Sequence, residues 1–492
     1  MAAPFVAFVT EMTSPVLHDS TSHPRATLAA LFSAILPGWG HAYVGQAKSA
    51  YGLYLVDLVL FLSLLIAFTR FQIEVVKLWV SPNALLILMA VNVAILLFRT
   101  MAVAGAYTAA PAGGGLWSGA AGMLAALVLL VVPHLAFGYL AWTQYDLIKS
   151  VFAEPNPIAG PPSTTSTTIG ASTTVVPGVS TTTTLPPTTT TEPPIWDGLE
   201  RLNLVLLGAD AGAGRIGLRT DTTIVVSLDP ASGDVAMFSV PRDLSNAPLP
   251  EGMGRWDCNC FPDLITHLYD AGVRYPDDFP GPGEPPINAI KGALSQIFGI
   301  PIHYYALVTL DGFVGVVDAL GGVTIDVPKT IIDETYPHED GSVERVVIEE
   351  GAQHLNGHLA LAYARIRRHS DDFARMHRQR CVLGAVVEQT NPMEVIANFG
   401  AMAQAIKDNV STDIPQDRLV DFVDLLPFLS TDRVATLRIT RAAYKIGSAP
   451  GRVYYDIPRI RQDAQLMIRD PEAAAAQLGL ASLDATCDQS FD

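Results

Sequence analysis

Asn203-Leu204-Val205-Leu206-Leu207-Gly208-Ala209-Asp210 decides how the second half of this chain folds. Asn203–Leu207 is too short and too β-branched or leucine-rich to be anything but a strand, and it stops at a glycine turn that carries an acid. Two more runs follow within thirty residues, Thr223–Leu228 and Val235–Val240, each bounded by turn residues. His303–Thr309 and Val323–Val327 add two further strands, whereas Ile287–Phe298, Gly312–Leu320, His358–Arg365 and Asp372–Gln389 have helical spacing. Strands and helices alternating in this way predict a sheet covered by helices, one domain over residues 198–445. The remaining 446–492 reads as a C-terminal extension with a short helix, Pro471–Leu478, started by proline.

Chemistry-bearing residues gather at the predicted strand ends. Asp210 closes the first strand, Arg219 and Asp221 open the next, and Arg242-Asp243 closes the third. Ligands of α/β sheets bind at such ends. Two carboxylates in an oxygen-rich setting suit Mg²⁺ or Mn²⁺, which takes few protein oxygens and completes its shell with water and phosphate.

The densest signal lies further on. From Arg365 to Arg380 there are six arginines and no lysine, in a chain of formal net charge −17. A solvated charged face would accept lysine equally; an all-arginine cluster points to bidentate recognition of an oxyanion. On a helix beginning at Asp371 or Asp372, Asp372, Arg375 and Gln379 share one face. The acidic balance excludes nucleic acid as a partner. There is no GxSxG elbow, no HExxH and no Walker A loop. His354 and His358 lack a third ligand nearby and are expected to be structural.

Residues 1–150 form a different region, a multi-span α-helical membrane domain. Ala50–Phe68, Pro82–Phe98 and Leu116–Trp142 are almost free of charge, and about 20 such residues cross a bilayer. Thr27–Tyr43, broken at Pro37-Gly38, is a re-entrant hairpin or a fourth span. Residues 151–197, rich in Thr and Pro, cannot bury a core and make an extended stalk of the kind found outside cells. The expectation is a multi-pass protein of the cell membrane whose C-terminal domain is extracellular. There, some pairing of Cys258, Cys260, Cys381 and Cys487 is expected, since Cys258 and Cys260 are too close in sequence for a zinc motif.

Ordered motifs then resemble the LytR–CpsA–Psr family of cell-envelope proteins. They are Leu206-Leu207-Gly208-Ala209-Asp210, Leu218-Arg219-Thr220-Asp221-Thr222, Ser239-Val240-Pro241-Arg242-Asp243, Ile287-Asn288-Ala289 and Leu355-Asn356-Gly357. Asp311-Gly312-Phe313 through Val317-Asp318-Ala319-Leu320-Gly321-Gly322-Val323, Ala362-Tyr363-Ala364-Arg365-Ile366-Arg367 and Asp372-Phe373-Ala374-Arg375-Met376-His377-Arg378-Gln379 complete the series. The resemblance implies an α/β/α sandwich with a central mixed sheet, an apolar pocket for a lipid tail, and a Mg²⁺-dependent phosphotransferase. Its substrate would be a glycopolymer on a polyprenyl-pyrophosphate carrier, and its acceptor peptidoglycan, joined through a phosphodiester. Carried over motif by motif, Asp210 and Asp221 would hold the metal; Asp221, Arg242, Arg365, Arg367 and Asp372 would be catalytic; Arg219, Arg375, Arg378 and Gln379 would bind pyrophosphate. A pyrophosphate hydrolase, or a surface sensor of lipid-linked polymer, are the alternatives. Where family members often carry a lysine before the Ile-Asn pair, this chain has Pro286.

Overall fold

Leu202–Asp210 (β1) is apolar at nearly every position because both of its faces are covered. Val205, Leu207 and Ala209 point into one apolar core; Leu202, Leu204 and Leu206 point into another. Arg219–Leu228 (β2) and Val235–Ser239 (β3) follow as antiparallel neighbours with the same alternation. Tyr304–Thr309 (β4), Val410–Thr412 (β5), Val434–Arg438 (β6) and Ala481–Ser482 (β7) complete a seven-stranded sheet of order β5-β4-β1-β2-β3-β6-β7. It is mixed: β1 with β4 and β3 with β6 are parallel, the other pairs antiparallel.

This computed structural model describes residues 25–110, 116–152, 194–210, 217–338, 342–366, 372–389, 406–407, 409–425, 433–478 and 480–482. It forms two compact units, Met1–Val151 with Thr390–Asp408, and Phe152–Gln389 with Asn409–Asp492.

In the first unit Arg25–Ile35 (α1) ends at the Pro37-Gly38 break, where Gly38 has φ of 94°. Ala47–Arg70 (α2), Pro82–Ala109 (α3) and Leu116–Val151 (α4) follow. The described parts of these last three are long and apolar enough to cross a membrane, and they anchor the chain there. α3 and α4 are joined by a polar clasp: Asn92 donates to the His134 carbonyl at 3.0 Å and its side-chain oxygen lies 2.6 Å from His134 Nδ1. Interhelical hydrogen bonds of this kind hold helices together where lipid offers no hydrophobic drive. Most of the Thr/Pro stalk lies outside the described residues.

In the second unit one face of the sheet packs on Pro285–Phe298 (α5) and Ile457–Arg469 (α8), through Phe238, Leu294, Phe298, Ile460 and Ala464. The other face packs on Leu419–Leu425 and on Leu383 of Asp372–Gln389 (α7). The α/β/α sandwich is therefore present. A satellite core joins Gly357–Arg365 (α6) and α7 to Val323–Val327, to the hairpin Ile331–Pro337 with Val343–Ile348, and to Gly351–Leu355.

One boundary needs correcting. Residues 446–492 are not an appendage to a domain ending at 445. α8 buries Ile460, Ala464 and Met467, Ala474 of Pro471–Leu478 (α9) joins the same core, and β7 extends the sheet. The apolar stripe at i, i+4 and i+7 on α8 is what ties this segment down.

Candidate functional site

Asp210 and Arg219 face each other across the β1–β2 pair, next to an irregularity between Gly208 and Ala209. Asp221 follows two residues along β2. The chain from β3 leads straight into Arg242, whose Nη1 donates to Asp221 Oδ2 at 2.9 Å. Thr266 donates its hydroxyl to Asp221 Oδ1, also at 2.9 Å, and Arg375 Nη1 reaches the Asp221 carbonyl at 3.3 Å. Burial pushes the Asp221 carboxyl up, but Arg242, the Thr266 hydroxyl and Arg375 together outweigh it and hold the group below its ordinary value.

Asp210 is 5% exposed, and Arg365 Nη2 approaches its Oδ2 at 3.3 Å. The placement of Arg365 starts nine residues earlier. Asn356 caps α6 by accepting from Leu359 N at 2.9 Å, and Asp318 accepts from Gly357 N at 2.7 Å. A side chain at Gly357 would meet the Val314 carbonyl oxygen at 2.2 Å, so glycine is required there. The Leu355-Asn356-Gly357 motif is thus a device that docks one end of α6 so that the other presents Arg365. The Arg365 guanidinium also lies 5.9 Å above the Tyr336 ring.

Asp243 turns away from Arg242. Its carboxylate accepts from Arg441 Nε at 3.0 Å and from the Tyr455 hydroxyl at 2.9 Å. The C-terminal segment therefore orients the Arg242-Asp243 corner, a role that a sequence boundary at 445 conceals.

The structure brings together Asp210, Asp221, Arg242, Arg365 and Arg375, with Arg219 exposed at the rim and Gln379 half-buried on α7. Arg367 lies outside the described residues, as does the side chain of Asp372, the residue that opens α7. Arg378 is a correction. It is 8% exposed and donates to the carbonyls of Tyr363, at 2.7 Å, and Ile366. Those carbonyls end α6, so Arg378 fastens α7 to α6 and is not free to grip pyrophosphate. Asn288 of the Ile287-Asn288-Ala289 motif is likewise structural, its amide donating to Phe279 O at 3.2 Å and Gly283 O at 2.8 Å. Pro286 occupies the first turn of α5, where its fixed φ favours the helix.

Sequence reasoning missed Thr266 and Tyr336. Neither sits in a motif, and each reaches the site only because of the fold. His354 and His358 are structural as expected: His354 Nε2 bonds Gly321 O at 2.9 Å, and His358 pairs with Glu344. Cys258 and Cys260 are bonded to each other, Cys381 is also disulfide-bonded, and Cys487 lies outside the described residues.

A divalent cation at the strand ends would draw on the oxygens of Asp210 and Asp221. Among the described residues no group of three or more His, Cys, Asp or Glu side chains is arranged to hold a metal by itself. Asp210 and Asp221 are two hard carboxylates, one beside Arg365 and the other beside Arg242. Such a pair suits a metal that takes most of its oxygens from water and phosphate.

Several known proteins are similar to this chain. Polyisoprenyl-teichoic acid–peptidoglycan teichoic acid transferase TagV of Bacillus subtilis (strain 168) is 29% identical over 242 residues, covering 49% of this chain and 56% of that one. The corresponding TagU of Halalkalibacterium halodurans is 30% identical over 217 residues, covering 44% of this chain and 62% of that one. The chain thus spans less than two thirds of these relatives' length. The crystal structure of B. subtilis TagV aligns with a TM-score of 0.41 at 26% identity, covering 55% of this chain and 97% of that one. The LytR_cpsA_psr family model matches residues 178–466, from the end of the stalk through β1, the arginine cluster and most of α8. That match takes in every residue of the strand-end cluster, and the chain belongs to the LytR_cpsA_psr family.

Proposed function

We propose that this protein transfers a glycopolymer from a polyprenyl-pyrophosphate carrier to peptidoglycan, forming a phosphodiester. One observation carries the reading: two carboxylates and three arginines, drawn from five separate chain segments, converge at the ends of β1, β2 and β3. The family's curated relatives, named as teichoic acid–peptidoglycan transferases, favour the same chemistry.

In this reading the acceptor hydroxyl attacks the phosphorus that carries the polymer and gives up its proton to a carboxylate of the site or to water. A new P–O bond forms, the bond to the second phosphate breaks, and polyprenyl phosphate leaves with the electron pair. Negative charge spreads over the phosphoryl oxygens, and Arg242, Arg365 and Arg375 are already in place to meet it. Each charge-assisted contact is worth roughly 1.5–3 kcal/mol. Asp221, held ionised by its neighbours, accepts and orients but is no proton donor near neutral pH. Mg²⁺ or Mn²⁺ held by Asp210 and Asp221 would supply charge neutralisation at the pyrophosphate. The domain acts outside the cell, where the Thr/Pro stalk carries it, and the carrier lipid supplies the energy.

The test offers purified full-length protein a lipid-linked polymer together with both water and a peptidoglycan acceptor. Polymer covalently joined to the acceptor is the expected product. Free polymer phosphate alone makes the protein a hydrolase; binding without turnover makes it a sensor. Protease added to wall-stripped cells should remove the C-terminal domain, and protection of that domain would reverse the orientation.

A further inference from the structure

Arg380 has no part in the chemistry above, yet it is 0% exposed, the bulkiest fully buried side chain among the described residues. Its Nη1 donates to Ser239 Oγ at 3.2 Å, while Nε and Nη2 have no hydrogen-bond partner. These two nitrogens form the side-on fork with which a guanidinium grips two oxygens of one oxyanion. A buried fork left empty is costly, so its retention calls for an occupant.

Among the described residues, the charges that shift Arg380 and its neighbour His377 are all cationic. Ser239 is paired in register with Arg438 across the parallel β3–β6 ladder, so the two side chains emerge on the same face of the sheet. It is the face that also carries Met237 and Val434 and is covered by Leu383 of α7. Burial, then Arg438, pull the Arg380 guanidinium down to about 9. Burial and the positive charges of Arg380, Arg438 and Arg378 push His377 down to about 3, so its imidazole is neutral. Neither shift has a carboxylate among its causes. Arg438 is half-buried and forms the side from which an ion could enter.

We propose that Arg380 and Arg438, with the Ser239 hydroxyl, form a second oxyanion pocket that takes a phosphate-class dianion. The fork of Arg380 holds two oxygens, Arg438 a third, and Ser239 fixes the fork. A carboxylate would offer only two oxygens to two guanidinium groups; tetrahedral phosphate offers enough for both. The pocket lies three residues from Arg242 along the chain and five from Arg375, so it adjoins the strand-end cluster and goes beyond it. The same chemistry is presented by free inorganic phosphate and by a prenyl phosphate head group.

The experiment uses full-length protein in detergent with EDTA present and no polymer or acceptor, so it reads binding whether or not the protein is a transferase. Arg365→Gln serves as the background, to weaken the neighbouring cluster. Melting temperature and titration calorimetry are recorded with inorganic phosphate in one arm and farnesyl phosphate in the other. Phosphate-class ligand should raise the melting temperature of the background protein. Adding Arg438→Gln should weaken binding about tenfold in the arm that matches the natural source. Adding Arg380→Met should abolish the response while making the ligand-free protein more stable. Unchanged affinity in both arms with Arg438→Gln overturns the pocket, and this partly exposed position decides the matter if Arg380→Met fails to fold. A more stable Arg380→Met protein that still binds as before also overturns it, leaving Arg380 as a strained structural residue.

Discussion

Arg242 and Asp221 meet at 2.9 Å across the ends of neighbouring strands, with side chains 27% and 23% exposed. An ion pair this wet contributes little to stability by itself. What distinguishes it is the second carboxylate oxygen, which takes the Thr266 hydroxyl. Thr266→Val removes a donor that lowers the Asp221 value, so the acid limb of the transfer rate should move to higher pH. The rate itself should fall by about tenfold, as expected for losing a hydrogen bond to a charged group. An unmoved acid limb would show that Asp221 does not govern it.

Stability should report the same carboxylate. Because the Asp221 value is depressed in the folded state, its contribution is present above the unfolded value, about 3.9. It is lost as pH falls further through the folded value. The difference in melting temperature between wild type and Asp221→Asn should therefore hold from pH 6 down to about pH 4 and shrink below that. A difference that grows in acid would mean the opposite shift.

Arg378 and Arg365 should separate cleanly, though they are thirteen residues apart in one arginine-rich run. Arg378→Leu strips two buried carbonyls of their donor and should destabilise the protein by about 2–5 kcal/mol. Arg365→Ala should slow transfer by about one to two powers of ten with a smaller change in melting temperature. Lysine at 365 should recover only part, since it keeps the charge and loses the fork. Equal effects of the two arginines on both readouts would undo the distinction.

Transfer should stop when divalent cations are chelated and resume with Mg²⁺ or Mn²⁺. Asp210→Asn should raise the metal concentration needed for half-maximal rate, because one hard carboxylate is removed. Full activity in excess EDTA would exclude the two carboxylates as a metal site.

Alkylation of denatured, unreduced protein should leave Cys258 and Cys260 unlabelled, and prior reduction should expose both. Labelling of either without reductant would contradict the pairing.

Regular periodicity was the most legible feature of this chain. α7 spans Asp372–Gln389 and α9 spans Pro471–Leu478, both with the bounds read from the residues alone. β1 was legible because both its faces are buried. The hairpin at Ile331–Ile348 was not, because its burial alternates irregularly among exposed acids and reads as loop. α8 carried a readable stripe at Ile460, Ala464 and Met467 that its many charges mask. In the arginine cluster composition announced an anion site but could not say which way each side chain points. Arg375 faces Asp221, Arg378 the end of α6, and Arg380 the interior, a division set by rotation about a helix and by partners far away in sequence.

The ladder between β3 and β6 has a consequence for how the protein is made. Val235–Ser239 is synthesised about two hundred residues before Val434–Arg438, its parallel neighbour. At roughly 5–20 residues per second, β3 stays an open edge for roughly 10–40 s while the rest of the chain emerges. An unpaired apolar strand is a template for wrong partners during that interval. The nascent chain should thus need a holdase until its last sixty residues arrive, and truncations just short of Val434 should aggregate where full-length protein does not.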